Sequence, residues 1–384
     1  MDRAASKAGR TKRRLPVHDS PVALPAPLAG WADAILGGPL PAEPVATCDA
    51  CVMVPQAGER QGPEHFDPAT KCCTYIPALH NYLVGRILAE RDPAMSVGRA
   101  RVDARIGERV GVSPLGIVAP SHFSLLYGPD RFGKSEALRC PYYLAETGNC
   151  GVWKHRNTVC STWFCKHGRG SASRVFWQAI EAALSEAERA VAKAAVLELD
   201  VGAAAMAALF PHPSELKESR LTGDLDKRVD SERYAKLWGR WLGKERELFA
   251  RAAAVAAKMT WPSVLRLGGS ELAARVRVAK DAYASFSSSK LPARLRVGPF
   301  EVVAMDETTT RVATYTPFDP IRLPNELLGA LRRFDGGSTR AALATILEED
   351  GLELDAALVQ RLVDFEVLVD EESSRPTASR TREQ

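Results

Sequence analysis

Eight cysteines give the clearest chemical signal in this 384-residue chain, and all of them lie in one segment. The remaining two thirds of the chain contain none. Cysteines that only fill a core would be scattered, because free Cys behaves as a small buried hydrophobe. A shared partner, either each other or a metal, explains the segment better. The candidate ligands are Cys48, Cys51, Cys72, Cys73, Cys140, Cys150, Cys160 and Cys165.

Disulfides are the first alternative, and they require an oxidising compartment. The N-terminal stretch is basic, but prolines and an aspartate interrupt the apolar core that a secretory signal would need. No run of eighteen apolar residues exists in the chain, so we expect no membrane segment. We therefore expect a cytoplasmic protein with reduced thiols, in which a metal is favoured over disulfides.

Zinc and iron–sulfur clusters both take cysteine thiolates, typically four per site. The two-residue spacer between Cys48 and Cys51 lets one turn present two sulfurs to one ion. Cys72 and Cys73 are adjacent, so their side chains should point in different directions. We therefore expect them to bind two different metals, or one to bind a metal while the other packs in the protein. Eight thiols would satisfy two four-thiolate sites or one polynuclear site, and the sequence leaves both arrangements and both metals open.

The residues around the last three cysteines suit a cluster of negative sulfurs. Residues 147–180 contain no acidic side chain. Four thiolates on a divalent ion leave a charge of about −2, which cations offset and an apolar shell shields from water. The alternative is an ordinary solvated basic face. The cations are Lys154, Arg156, Lys166, Arg169 and Arg174, and the aromatic residues are Trp153, Trp163, Phe164 and Trp177. His155 and His167 are alternative ligands, although a surface or supporting position is the simpler interpretation.

Residues 139–166 resemble the YkgJ-type putative zinc- or iron-chelating cysteine-cluster family. That resemblance implies metal chelation by all eight cysteines. One branch of the family resembles flagellin lysine N-methylases, which implies an enzyme as the alternative. Cys51 and Cys72 are more widely spaced than the family pattern, which leaves open whether all eight thiols share one site. The matching residues are Cys140, Pro141, Tyr142, Gly148, Cys150, Val152, Trp153, Arg156, Cys160, Phe164 and Cys165, after Cys48, Cys51, Cys72 and Cys73.

Residues 128–135, GPDRFGKS, fit the phosphate-binding loop pattern GxxxxGK[ST]. In that motif, backbone N–H groups hold phosphates at the start of a long helix. Here Cys140-Pro141 would end the helix almost at once. A turn that positions Cys140 is therefore the favoured interpretation, and nucleotide binding is the weaker one.

The whole chain is expected to be α+β and mostly helical, with a metal-stabilised cysteine-rich domain. Apolar residues at helical spacing after residue 174 predict a helical middle segment. The expected parts are a disordered Pro-rich basic tail at 1–44, the cysteine domain at 45–173, the helical segment at 174–290, a winged-helix-like module at 291–370 and a disordered tail at 371–384.

The last module is predicted as a hairpin followed by three helices, remote from the thiols. Residues 294–304 and 311–316 form the hairpin, and the helices cover 324–333, 338–349 and 355–365, with a turn at 334–337. This order is similar to PqqD-like winged-helix domains, which implies a peptide or protein partner bound as an added strand. The residues that carry this resemblance are Leu323, Pro324, Phe334, Asp335, Gly336, Leu362, Phe365 and Leu368.

Charge argues against a nucleic-acid partner. The net charge is +4, but residues 1–14 hold six basic side chains and one acidic side chain, which leaves the rest near −1. The helix predicted at 355–365 contains Arg361 as its only basic residue, which is not a DNA-reading face. Two function classes remain: a metal-binding protein with a partner module, and an iron–sulfur enzyme that modifies a protein or peptide. No catalytic residue can be assigned from the sequence.

Overall fold

The computed structural model describes residues 18–45, 48, 51–55, 62, 64–120, 122–211, 229–288 and 290–372. The fold is α+β, with 53% of residues in helices and 12% in strands, as expected. Within these ranges the helices are α1 (Leu28–Leu36), α2 (Asn81–Ala89), α3 (Ser96–Glu108), α4 (His122–Leu126), α5 (Thr158–Thr162), α6 (Gly170–Glu198), α7 (Ala203–Leu209), α8 (Ser231–Trp238), α9 (Glu245–Ala257), α10 (Trp261–Ser287), α11 (Asn325–Ala330), α12 (Thr339–Thr345) and α13 (Ala356–Asp364).

The strands are short and form several small antiparallel sheets. They are β1 (His18–Pro21), β2 (Ala42–Val45), β3 (Leu79–His80), β4 (Val112–Ser113), β5 (Gly116–Ile117), β6 (Tyr143–Leu144), β7 (Asn149–Cys150), β8 (Arg294–Val297), β9 (Glu301–Met305), β10 (Thr309–Ala313), β11 (Ile321–Pro324), β12 (Asp335–Ser338) and β13 (Leu368–Asp370). No helix in the described ranges has the length and apolarity that a membrane crossing needs.

The prediction of disorder for residues 1–44 is wrong from residue 18 onward. Strand β1 pairs with β2, and α1 lies between them in the chain. Helix α1 buries Leu28, Trp31 and Ile35 against α6 and α10. That spacing places the three apolar residues on one buried face of an amphipathic helix. The prolines lie outside α1 and therefore do not interrupt it. Residues 1–17 lie outside the described part of the chain, as do residues 373–384 of the predicted C-terminal tail.

The expected boundary at residue 173 does not separate two cores. Helix α6 begins at Gly170 and runs across it, and α10 packs along α6. A second core joins α2 and α3 of the cysteine segment to α8 and α9 of the helical segment. Helices α2 and α9 approach closely at Gly85, where a Cβ would lie 2.0 Å from the Phe249 carbonyl oxygen. The cysteine segment is therefore built into the helical scaffold.

The C-terminal module has its own core, which includes Leu295, Val312, Phe334 and Leu362. Strands β9 and β10 form the predicted hairpin, and β11 continues that sheet. The three predicted helices are present as α11, α12 and α13.

Two details of the predicted hairpin module are corrected. Strand β8 was expected within the hairpin, but it pairs with β12 and β13 in a second sheet. The Gly298 N–H still donates to the Val367 carbonyl oxygen, and Pro299 ends the ladder because a proline has no N–H. The turn predicted at residues 334–337 is largely strand β12.

Candidate metal centre

Backbone hydrogen bonds bring three of the cysteine segments together. The Cys140 N–H donates to the Cys73 carbonyl oxygen at 2.7 Å, and the Tyr143 N–H donates to the Cys140 carbonyl oxygen at 3.1 Å. Strands β6 and β7 then pair Tyr143 with Cys150. Cys73, Cys140 and Cys150 therefore lie on adjoining stretches of backbone.

Lys71 ties the first cysteine segment to the same region. Its Nζ donates to the Gly148 carbonyl oxygen at 3.1 Å and also to the Cys48 carbonyl oxygen. Lys71 adopts a left-handed conformation, with φ of 50°, directly before Cys72. Sequence analysis did not single out this lysine, and no local pattern marks it, because its partners come from two remote loops.

Helix α5 presents Cys160, and its N-terminus is fixed from two sides. The Asn157 side chain caps the helix by accepting the Cys160 N–H at 3.1 Å, and the Glu188 carboxylate on α6 accepts the Thr158 N–H at 3.1 Å. A capping oxygen satisfies N–H groups that the helix itself leaves unpaired. Burial raises the pKa of Glu188 to about 7. This buried carboxyl group was also absent from the sequence-based prediction.

All eight thiols are free, and none lies on the open surface. A hydrogen bond with Cys73 lowers the pKa of Cys72. That these two residues serve two metals, or that one of them packs, stays a prediction. Burial raises the pKa of six other thiols, and the charge of Cys72 adds to that rise in each of them. They are Cys48, Cys51, Cys140, Cys150, Cys160 and Cys165.

The thiols are electrostatic neighbours but do not form a finished ligand set. Among the described residues, no three His, Cys, Asp or Glu side chains are arranged so that they could hold a metal ion. Cys165 and Cys160 have different electrostatic neighbours apart from Cys72, which acts on both. After burial, the charges that raise the pKa of Cys165 are those of Cys72 and Cys51. The corresponding neighbours of Cys160 are Cys140, Cys150 and Cys72.

Arg156 is the main cation facing the thiols. Burial lowers the pKa of Arg156, and the charges of Cys150, Cys160, Cys48 and Cys72 raise it. Its guanidinium lies 3.4 Å from the centre of the Trp153 ring and donates to the Cys160 carbonyl oxygen at 3.0 Å. A half-buried guanidinium beside several sulfurs can offset thiolate charge, which is what a cysteine-rich metal site requires.

The predicted aromatic shell is only partly present. Burial raises the pKa of Cys165, and a hydrogen bond from the Trp163 side chain partly opposes that rise. Trp177, in contrast, is buried in the α6 core, and Phe164 packs on it with ring centres 4.6 Å apart. Trp177 therefore supports the helical scaffold and does not shield the sulfurs.

The two histidines proposed as alternative ligands have other partners. His155 Nε2 lies 3.0 Å from the Glu90 carboxylate. His167 Nδ1 lies 3.2 Å from the Tyr315 hydroxyl, and burial lowers the pKa of His167 to about 4. Both arrangements favour the supporting positions that the sequence suggested.

The phosphate-loop pattern at 128–135 adopts a different structure. A 3₁₀ turn covers Pro129–Arg131, and only another 3₁₀ turn, Glu136–Leu138, follows. The Gly133 N–H donates to Thr74 Oγ1 at 2.7 Å, so it is not directed at a ligand. This segment joins the cysteine loops and lacks the helix that a phosphate site needs.

The hairpin module was expected to lie far from the thiols, but it contacts the cysteine segment. Arg311 pairs with Glu64 at 2.7 Å, and Phe318 packs on Phe66 with ring centres 5.4 Å apart. Residues 166–169, directly after Cys165, make further polar contacts with the module. The C-terminal module therefore packs directly against the cysteine segment.

The chain matches no protein-family model, no curated protein and no solved structure.

Proposed function

We propose that this chain is a metal-binding protein whose eight cysteines hold zinc or an iron–sulfur cluster. The observation that carries the proposal is the meeting of three cysteine segments: the Cys140 N–H donates to the Cys73 carbonyl oxygen, and Tyr143 pairs with Cys150. Burial keeps these thiols protonated, and they become thiolate ligands when a metal displaces their protons. A cytoplasmic location accords with these free thiols.

The chemistry of the donor set fits a soft or borderline metal. Thiolates select zinc and iron–sulfur clusters over hard cations such as magnesium. Such a metal would supply the positive charge that lets several buried thiols ionise together. Arg156 and Lys71 would offset the excess negative charge of the thiolates, and Trp163 would shield Cys165. The resemblance to the YkgJ-type family supports the same assignment.

The C-terminal module is proposed to be PqqD-like and winged-helix-like, and to bind a peptide or protein partner. Strand β9 ends the sheet β11-β10-β9, so one of its edges has no neighbouring strand among the described residues. Val302 is half exposed on this strand and Met305 is mostly exposed. An extended peptide could add to this edge, with its backbone paired to β9 and its apolar side chains against these two residues.

An iron–sulfur-dependent enzyme that modifies a protein or peptide, such as a lysine N-methylase-like protein, is the alternative function. In an enzyme the metal would keep an open coordination position, whereas a purely structural site is closed by its cysteines. We assign no catalytic residue. A nucleic-acid or membrane partner is not proposed.

Metal analysis of anaerobically purified protein, combined with its absorption spectrum, tests the proposal. We expect either zinc in a colourless protein or iron and sulfide in a coloured one. Cys72→Ala should lower the metal content, whereas Lys134→Ala, in the rejected phosphate loop, should leave it unchanged. Folded wild-type protein that retains eight titratable thiols and takes up no metal would rule out the proposal.

A further inference from the structure

The four residues that follow Cys165 make hydrogen bonds and ion pairs with the C-terminal module. We call residues 166–169 the docking segment. Lys166 Nζ donates to the Phe318 carbonyl oxygen at 2.6 Å. The His167 N–H donates to the Asp319 carboxylate at 3.1 Å. Tyr315 also donates to this carboxylate. The loop between β10 and β11 is thus held by backbone and side-chain groups directly after a proposed ligand.

The same segment holds α13 and β2. Arg169 makes a two-pronged ion pair with Asp364, with Nε and Nη2 at 2.7 and 2.8 Å from its carboxylate oxygens. The Gly168 N–H donates to the Glu43 carboxylate at 2.7 Å. At Gly170, with φ of +49°, a Cβ would lie 2.6 Å from the Asp364 carbonyl oxygen. The docking segment therefore contacts the β10–β11 loop, α13 and β2, and these contacts leave little room for its backbone to move.

The carboxylates that it meets are buried. Glu43, Asp319 and Asp364 are 0%, 8% and 8% exposed. A buried carboxylate is costly without donors, and each of these three receives donors from the docking segment. Moving the segment would remove these donors and leave each carboxylate with fewer hydrogen bonds, namely those from Trp177, Tyr315 and Gln360. Docking of the module is therefore weaker when residues 166–169 leave this conformation.

We infer that metal occupancy at Cys165 and docking of the C-terminal module are coupled through the docking segment. The inference rests on the proposed function of the cysteines. A metal bound at Cys165 fixes the backbone next to Lys166 and so holds the donors in place. Loss of the metal releases the segment and loosens the module while its own core stays folded. Linkage is reciprocal, so weaker docking must weaken metal binding by the same factor.

The first test measures zinc affinity of the full-length protein by competition with a chromophoric chelator. Asp319→Asn and Asp364→Asn each remove a carboxylate that accepts hydrogen bonds from the docking segment. We expect each substitution to weaken zinc binding about fivefold or more. Glu326→Gln, an exposed carboxyl on α11 of the same module, is the matched control and should bind zinc as the wild type does. Variants with the affinity of the control would overturn the coupling.

The second test works in the opposite direction and needs no substitution. Hydrogen exchange is measured on zinc-loaded protein before and after chelation. We expect faster exchange at 314–319 and 356–364, with little change in α12, which lies inside the module. Unchanged exchange at 314–319, in protein verified to have lost its zinc, would overturn the coupling.

Lys166→Met is a milder variant for use if the aspartate variants do not fold. It removes one donor from a partly exposed position and should give the same faster exchange at 314–319 with zinc bound. Unchanged exchange there would also contradict the inference. A wild type that binds no zinc or iron would instead sink the proposed function, so the two failures are distinguishable.

Discussion

The backbone N–H of Cys140 donates a 2.7 Å hydrogen bond to the carbonyl oxygen of Cys73, which joins two cysteine segments that are far apart in the sequence. This bond fixes the backbones of Cys73 and Cys140 against each other. A metal bound by both residues would therefore have to order side chains more than backbone. Preorganisation of this kind lowers the entropy cost of binding a ligand.

The first prediction concerns the number of metal sites. Cys51 neighbours Cys165, and Cys140 neighbours Cys160. If these pairs belong to two four-thiolate sites, Cys51→Ala/Cys165→Ala should lose about half of the bound metal, since one site remains intact. Cys51→Ala/Cys160→Ala should lose nearly all of it. Metal content per folded chain measures both, and equal, complete loss in the two double variants would indicate one polynuclear site instead.

The second prediction concerns pH. Burial, followed by the charge of Cys72, raises the pKa of Cys48 to about 11; burial raises the pKa of Cys140 to about 12. These thiols are protonated at neutral pH without a metal, so a metal must displace their protons. Metal affinity should therefore rise steeply with pH, with more than one proton released per ion. Chelator competition between about pH 6 and about pH 8 measures the slope. An affinity independent of pH would show that the thiols are not the ligands.

The third prediction concerns Glu188. Burial raises the pKa of this carboxyl from 4.5 to about 7 in the folded state. Between these two pH values the folded protein holds a proton that the unfolded chain releases. The contribution of Glu188 to the free energy of unfolding is therefore fully present below about pH 4.5 and is lost as the pH rises through about 7. Glu188→Gln should remove this dependence of the free energy of unfolding on pH, worth on the order of 3 kcal/mol over that window.

Urea denaturation at several pH values measures the effect of Glu188→Gln. Glu198→Gln, an exposed carboxyl on the same helix, is the control and should keep the slope of the wild type. If Glu188→Gln also kept that slope, Glu188 would not be the titrating group.

The fourth prediction concerns the contact between α2 and α9. A Cβ at Gly85 would lie 2.0 Å from the Phe249 carbonyl oxygen, so Gly85→Ala must push the helices apart. We expect a loss of about 1–3 kcal/mol in the free energy of unfolding. Gly30→Ala, on an open face of α1, has no atom within 4 Å and should stabilise the protein by about 0.5–1 kcal/mol. Similar unfolding midpoints for the two variants would contradict this packing.

Local features of the fold could be predicted from the sequence, because they depend on nearby residues. Asp355 caps α13 and Ser338 caps α12, each by accepting an N–H three residues ahead, and both helices lie where they were expected. The early end of the phosphate-loop segment followed from Pro141 in the same way. Helical spacing after residue 174 likewise predicted the helical middle segment.

Contacts between remote segments could not be predicted, because one sequence does not reveal which loops meet. The folded structure of residues 18–45 depends on a core formed with α6 and α10. The position of β8 depends on its pairing with β12 and β13. The prolines and the scarcity of periodic apolar positions indicated disorder for residues 1–44, and the alternating pattern of β8 alone indicated one half of a hairpin.

The sequence by itself determined which groups could hold a metal, since residue type decides donor chemistry, and it named all eight cysteines. Only the tertiary structure decided which thiols are neighbours, that Lys71 and Glu188 support them, and that residues 166–169 clamp the C-terminal module. These relationships come from burial and from hydrogen bonds between distant segments. Such contacts exist only after the chain has packed its helices together.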